Sequence, residues 1–188
     1  MDLALATDVL AHPTTEYVTA PLALEAIYRQ HFAFVYRTAA RLAGPGFDAE
    51  DIAQEVFLVV SRKLDTYDGR AAVTTWLCGI TINVVRAARR RQRRRRLFER
   101  GGPDVDEPVR APDSVEVDQA RRIAYQILGQ LGARHREVLI LSEFQELSCD
   151  EIAAVVGCKT ATVWSRLHYA RKEFARRLEK RGLGGGGR

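Results

Sequence analysis

Apolar residues recur along this chain at three-, four- and seven-residue intervals, and the breaks in the pattern fall at glycine and proline. From Leu22 to Leu42 the anchors are Leu24, Ile27, Tyr28, Phe34, Val35 and Leu42, which predicts an amphipathic helix. Gly44-Pro45-Gly46 stops it. A second helix is expected to open at Asp48, with Asp48, Glu50 and Asp51 placed where the helix dipole favours acids. Its apolar arc is Ile52, Ala53, Val56, Phe57, Val59, Val60 and Leu64. The turn-rich Asp65-Thr66-Tyr67-Asp68-Gly69-Arg70 follows. A third helix is expected from Thr74 or Thr75, with Trp76, Ile80, Val84 and Ala87 as its core stripe. The pattern resumes at Ile123, Ile127 and Leu131, breaks at Gly132, and continues through Val138, Leu139, Leu141 and Phe144.

Near the C-terminus the signals are densest. Ser148-Cys149-Asp150-Glu151 fits a capping box, in which the serine and the glutamate three residues on satisfy each other's backbone N–H. A short helix through Ile152 and Val156 ends at Gly157, a residue suited to a left-handed stop. Another helix opens at Thr160 and runs past Arg177, burying Val163, Leu167, Ala170 and Phe174 on one stripe. Its opposite arc carries Ala161, Trp164, Ser165, His168, Tyr169 and Lys172. Two helices joined by a tight glycine turn, the second polar outside and rich in Arg and Lys, read as a helix-turn-helix. The same pattern also suits an ordinary helical hairpin with a solvated basic face.

Charge divides the chain more sharply than its net +5 suggests. Residues 1–85 are net −4, residues 86–100 carry nine arginines against one glutamate, residues 101–118 are net −5, and residues 119–188 are net +6. Two basic blocks around an acidic spacer are the footprint of a polyanion binder. The spacer holds Pro103, Pro108 and Pro112 and almost no large apolar residue, so it reads as a flexible linker. The expected organisation is therefore all-α with two small helical domains. A lead-in covers residues 1–21, the first domain 22–100, the acidic linker 101–118, the helix-turn-helix domain 119–181, and a disordered Gly-rich tail 182–188. Cys78, Cys149 and Cys158 form no CxxC pair and have no histidine at ligand spacing, so they read as thiols in a reducing cytoplasm. No metal or other cofactor is expected. No apolar run approaches the ~20 residues that span a bilayer, and no secretory signal is evident. The expected location is cytoplasmic, without direct membrane insertion.

Three surface features remain. Asp51, Gln54, Glu55, Leu58 and Arg62 line one face of the second helix, a polar stripe with one leucine in it. A solvated face accounts for it, and two carboxylates without a histidine, nucleophile or phosphate loop give no support to catalysis. On the third helix Asn83, Arg86, Arg90 and Arg93 share a stripe, and such side chains reach base edges and phosphates. That helix runs into Arg89-Arg90-Arg91-Gln92-Arg93-Arg94-Arg95-Arg96, which repels itself unless a polyanion neutralises it.

Taken together, residues 22–180 resemble the small extracytoplasmic-function sigma factors of bacterial RNA polymerase, of the sigma-70 family. Asp48-Ala49-Glu50-Asp51-Ile52-Ala53-Gln54-Glu55-Val56-Phe57-Leu58 is similar to the family's region 2 signature. Tyr67-Asp68-Gly69-Arg70, then Thr75-Trp76-Leu77 and Asn83, resemble the segment that melts and reads the −10 element. Arg136-Glu137-Val138 and Ser165-Arg166-Leu167-His168-Tyr169-Ala170-Arg171 resemble region 4, which binds the −35 element. The resemblance implies a promoter-specificity factor, not an enzyme, whose partners are core RNA polymerase, promoter DNA and a cognate anti-sigma factor. It assigns Asp51, Gln54, Glu55 and Leu58 to the polymerase. It assigns Tyr67, Arg70, Trp76, Asn83, Arg86 and Arg90 to the −10 region. The −35 set is Lys159, Thr160, Thr162, Trp164, Ser165, Arg166, His168, Tyr169 and Arg171.

Departures from the family pattern sharpen the expectation. Cys78, Gly79 and Thr81-Ile82 stand where an aromatic, a basic residue and an Ala-Arg pair are common. Trp164 and Tyr169 stand where Lys or Arg is usual, which implies a −35 element read more by apolar contact and shape. Trp164 could instead pack on a neighbouring helix. The first family helix looks shortened, or replaced by Thr14–Pro21. The competing reading is a stand-alone helix-turn-helix repressor or activator binding duplex DNA as a dimer, which has no need of the Asp51/Gln54/Glu55 stripe or the Tyr67 loop.

Overall fold

A computed structural model describes residues 24–44, 46–98 and 119–181. The lead-in, the acidic linker and the Gly-rich tail lie outside these residues. Seven α-helices are seen among them: α1 (Leu24–Ala43), α2 (Ala49–Lys63), α3 (Val73–Phe98), α4 (Gln119–Gln130), α5 (Ala133–Glu143), α6 (Cys149–Val156) and α7 (Thr160–Glu179). A short 3-10 turn, Leu64–Thr66, follows α2.

The helix ends follow local chemistry. The Asp48 carboxylate accepts from the Glu50 N–H at 2.7 Å and the Asp51 N–H at 3.3 Å, so α2 begins where its first donors find an acceptor. Ser148 and Glu151 form the expected capping box on α6. Gly157, at φ 72° and ψ 50°, ends α6 in the left-handed region, where a side chain would be strained. Ser148→Ala removes one half of the box and is expected to cost about 1 kcal/mol. The urea midpoint should fall with an unchanged slope; a midpoint equal to wild type would mean that water serves that N–H equally well.

Helices α1, α2 and α3 pack on one another, and α5, α6 and α7 form a second group braced by α4. Val35, Val56, Val60 and Leu77 are fully buried in the first, and Ile140, Leu141, Ile152 and Val163 in the second. Near the start of α1, Tyr28 meets Phe57 edge-on with centroids 4.8 Å apart, and Phe32 stacks on the same ring at 6.1 Å. Such contacts add to area burial and set how α1 crosses α2. The two groups also touch: α6 lies on α3, and α4 and α5 lie on the C-terminal half of α1. The buried apolar cluster runs continuously from one to the other.

Candidate nucleic-acid and polymerase interface

On α2 the sequence stripe divides. Asp51, Gln54 and Leu58 are exposed, Leu58 at 58%. Glu55 is half-buried and takes both guanidinium arms of Arg91 from α3, at 3.0 and 2.6 Å. Three of the four residues assigned to polymerase docking thus form an open surface, while the fourth ties α2 to the arginine run. An exposed leucine between polar neighbours is the kind of side chain that a partner covers.

The loop ahead of α3 is preorganised. The Tyr67 hydroxyl donates to the Ala71 carbonyl at 2.5 Å, and its ring lies 5.1 Å from that of Trp76, tilted by 47°. Asp68 accepts from the Arg70 N–H at 3.1 Å, and its other oxygen meets Arg70 Nε at 3.3 Å. The Arg70 side chain remains 89% exposed. Two half-buried rings beside an open guanidinium offer stacking and hydrogen bonding together, the combination that receives an unstacked base. α3 starts at Val73, one residue before the expected Thr74, because Val73 is itself buried in the core.

Along α3, Asn83, Arg90 and Arg93 face solvent. Arg86, on the same stripe, does not: it forms a bidentate pair with Glu137 of α5, Nε to Oε1 at 3.0 Å and Nη2 to Oε2 at 2.7 Å. Hydrogen bonding to that carboxylate raises its pKa above the usual arginine value. Arg89, read in the sequence as part of a polyanion-binding run, instead donates to the carbonyls of Leu42 and Ala43 at 2.5 and 2.8 Å. It caps the C-terminal end of α1, and burial lowers its pKa. Cys78 is buried, its thiol pushed up to about 12, so it is chemically quiet.

The helix-turn-helix places its second helix, α7, with its outer face open. Trp164 is 61% exposed and Tyr169 54%. Trp164 therefore does not pack into the core, which removes the reading in which it lies against a neighbouring helix. Tyr169 leans on His135 with ring centroids 4.6 Å apart. Lys159, Ser165 and His168 are exposed as well. Arg171 is exposed but engaged by Glu143 at 2.7 and 3.0 Å. Thr160, Thr162 and Arg166 are half-buried. The Thr160 hydroxyl donates to Asp150 at 2.7 Å, and Arg166 donates to the Cys158 sulfur at 3.6 Å. These three are turned partly inward, and the other six form the outward face.

Two structural residues escaped the sequence reading. Arg136 and Glu137 stood only as part of a motif, yet both are buried, at 6% and 4% exposure. Glu137 pairs with Arg86, 51 residues away, and Arg136 reaches Ala43, 93 residues away, besides the nearby Gly129 and Leu131 carbonyls, so the contacts between helix groups had no local signal.

Residues 27–95 match the family model described as Sigma-70 region 2, and residues 121–174 match Sigma-70, region 4. The ECF RNA polymerase sigma factor SigE of Mycolicibacterium smegmatis is 34% identical over 158 residues, covering 82% of this chain and 61% of that protein. The ECF RNA polymerase sigma factor SigL of Mycobacterium tuberculosis is 30% identical over 161 residues, covering 85% of this chain and 91% of the relative. Among solved structures, the sigma factor RpoE of Bartonella quintana, in complex with the anti-sigma factor NepR, superposes with a TM-score of 0.71 at 22% identity. That match covers 82% of this chain and 96% of the other. The open face of α2, the tyrosine loop, the arginine-bearing α3 and the helix-turn-helix thus occur in the order of both matched regions, and the chain belongs to the ECF sigma factors of RNA polymerase, within the sigma-70 family.

Proposed function

We propose that this chain binds core RNA polymerase through Asp51, Gln54 and Leu58 on α2, with Glu55 at the edge of the contact, and directs it to promoters. The Tyr67–Arg70 loop with Trp76 receives an unstacked base of the −10 element, while Asn83, Arg86 and Arg90 follow the strand along α3. The outer face of α7 enters the major groove of the −35 element, led by Lys159, Trp164, Ser165, His168 and Tyr169. Thr160, Thr162 and Arg166 orient that helix, and Arg171 reaches the backbone from its far side. The observation that carries this reading is the pairing of both matched regions on one chain with their outward faces open. No described helix is long and apolar enough to cross a membrane, and the factor is taken to act in the cytoplasm without catalysing a reaction itself. An anti-sigma partner is proposed by analogy with the NepR complex of the Bartonella protein.

Run-off transcription with purified core polymerase tests the assignment. Initiation that depends on this chain is the expected outcome; binding to a duplex operator alone, with no initiation, overturns it. Asp51→Ala, Gln54→Ala and Leu58→Ala together are expected to weaken core binding about tenfold or more, because truncated interface anchors each cost upwards of ~1 kcal/mol. The exposure of all three residues means that the melting temperature should hold. Equal core affinity in the triple variant would move the docking surface elsewhere.

A further inference from the structure

We propose that Ala161 and Trp164 of α7 form an apolar patch that reads thymine methyl groups in the major groove of the −35 element, in place of guanine read by arginine. The inference rests on the sigma reading above and deepens it, because it names the base chemistry that α7 selects.

Every arginine of α7 is already engaged. Arg166 is half-buried and donates to the Cys158 sulfur at 3.6 Å. Arg171 donates to Glu143 at 2.7 and 3.0 Å and to the Ser142 hydroxyl at 3.3 Å. Arg176 and Arg177, near the C-terminal end, share Glu173. The planar fork that grips O6 and N7 of guanine is therefore committed elsewhere on this helix. What α7 presents instead is Ala161, Trp164, Ser165 and His168, all exposed, with Trp164 at 61%. They stand at i, i+3, i+4 and i+7, which puts them on one face. Tyr169 lies at the edge of that face, its ring braced against His135 with centroids 4.6 Å apart.

Position and chemistry both point this patch at bases. A helix-turn-helix aims the N-terminal residues of its second helix at base edges, and Ala161, Trp164 and Ser165 are the second, fifth and sixth residues of α7. From Ala161 to His168 the helix rises about 10 Å, roughly three base steps of duplex. Thymine is the natural base that shows an apolar group in that groove, its C5 methyl, and alanine and aromatic carbon are partners that suit it. An indole left in water forgoes the burial of its ring, which a methyl-lined groove recovers. The Ser165 hydroxyl both donates and accepts, so it fits any base pair, and selection falls to the apolar pair. Lys159 and Lys172, exposed on either side of the patch, hold the helix to phosphates without choosing a sequence. Residues 119–188 are net +6, so a polyanion rather than an uncharged protein surface matches this face.

The test uses the full chain with core polymerase and a duplex library randomised over the −35 and −10 segments, from which run-off transcripts recover a promoter. Thymines of its −35 segment are then replaced singly by deoxyuridine, which lacks only the C5 methyl, and holoenzyme affinity is measured. Wild type should lose about fourfold at each contacted thymine, the factor for one buried methyl-sized group. A methyl contact displaces no counterion, so the penalty should be equal at low and high salt. Trp164→Ala should bind the thymine duplex more weakly and treat the uracil duplexes alike, while Trp164→Phe keeps part of the penalty. Ala161→Ser should shrink the penalty at the same or an adjoining pair; a full penalty there removes Ala161 from the patch. Both side chains are exposed, so the melting temperature should hold in each variant. Indifference of wild type to every uracil overturns the proposal. So does a penalty that persists in Trp164→Ala, since DNA shape would then carry it. Wild-type promoter affinity in Trp164→Ala also overturns it and assigns the ring to a protein partner. Failure to recover any promoter overturns the sigma reading and this inference with it, whereas a promoter read without its methyls overturns the methyl readout alone.

Discussion

Arg136→Ala is expected to destabilise the folded chain by about 2–3 kcal/mol, the net of two opposed effects. A helix leaves its last four carbonyls without intrahelical partners. Arg136 serves two such ends at once, donating from Nη2 to Gly129 and Leu131 at the end of α4, at 2.5 and 3.0 Å, and from Nη1 to Leu42 and Ala43 of α1, at 3.3 and 3.4 Å. Truncation leaves the α1 carbonyls with Arg89 but strips the α4 pair of this donor, and each buried unsatisfied group costs about 1–3 kcal/mol. Against this, desolvation and the neighbouring Arg89 pull Arg136 down to about 9, so its removal relieves some unfavourable burial and repulsion. The carbonyl loss wins because there are two of them and the site is shielded from water. Arg136→Lys should fall between wild type and Ala, since an ammonium cannot reproduce the planar fork. The sign of the pH effect follows from the folded value lying below that of the unfolded chain. Arg136 stays charged in both states at neutral pH, so the cost is flat from pH 6 to 8, and stability gained by losing the proton appears only above about pH 9. Urea titrations at pH 6, 7 and 8 read this directly; a loss under about 1 kcal/mol would mean that water replaces the guanidinium at no cost.

What the sequence discloses here is what is decided within one turn of chain. Asp48, Ser148 with Glu151, and Gly157 act on backbone groups two to four residues away, and each caps the helix it was expected to cap. The stripe Val163, Leu167, Ala170 is buried, with Phe174 packed at its edge, because helical spacing alone puts those residues on one side. Arginine is the opposite case. Arg86, Arg89 and Arg91 look alike in a run of like charges, yet they go respectively to a carboxylate of the other helix group, to the end of α1 and to Glu55. Which arginine finds which acceptor depends on how helices tens of residues apart cross, and no period in the sequence encodes that. Trp164 marks a middle case. Its spacing places it beside the buried stripe, where packing and exposure are both open to it, and only the position of the neighbouring helices leaves it at 61% exposure.

Replacing Arg90, Arg93 and Arg94 together by alanine is expected to lower the salt dependence of promoter binding by nearly three units of log–log slope. All three side chains are exposed on the last turns of α3, so none is needed to hold the fold, and alanine keeps the helix while relieving like-charge repulsion. Each phosphate contact to duplex contributes a slope of about −0.9 and each to a single strand about −0.7. Three duplex contacts sum to about 2.7, so between 50 and 200 mM salt wild-type holoenzyme should lose roughly 40-fold more affinity than the variant. Three single-strand contacts sum to about 2.1 and give roughly 20-fold. The size of the change therefore reports whether this part of α3 lies on duplex upstream of the melted −10 element or on the separated strand, while an unchanged slope would remove these arginines from the DNA altogether. Arg86 supplies the internal control. In the structure it is paired with a largely buried carboxylate, so salt screens the pair weakly. Arg86→Ala should therefore change the slope in the promoter complex by about one unit, and leave the salt response of the free chain's stability nearly unchanged.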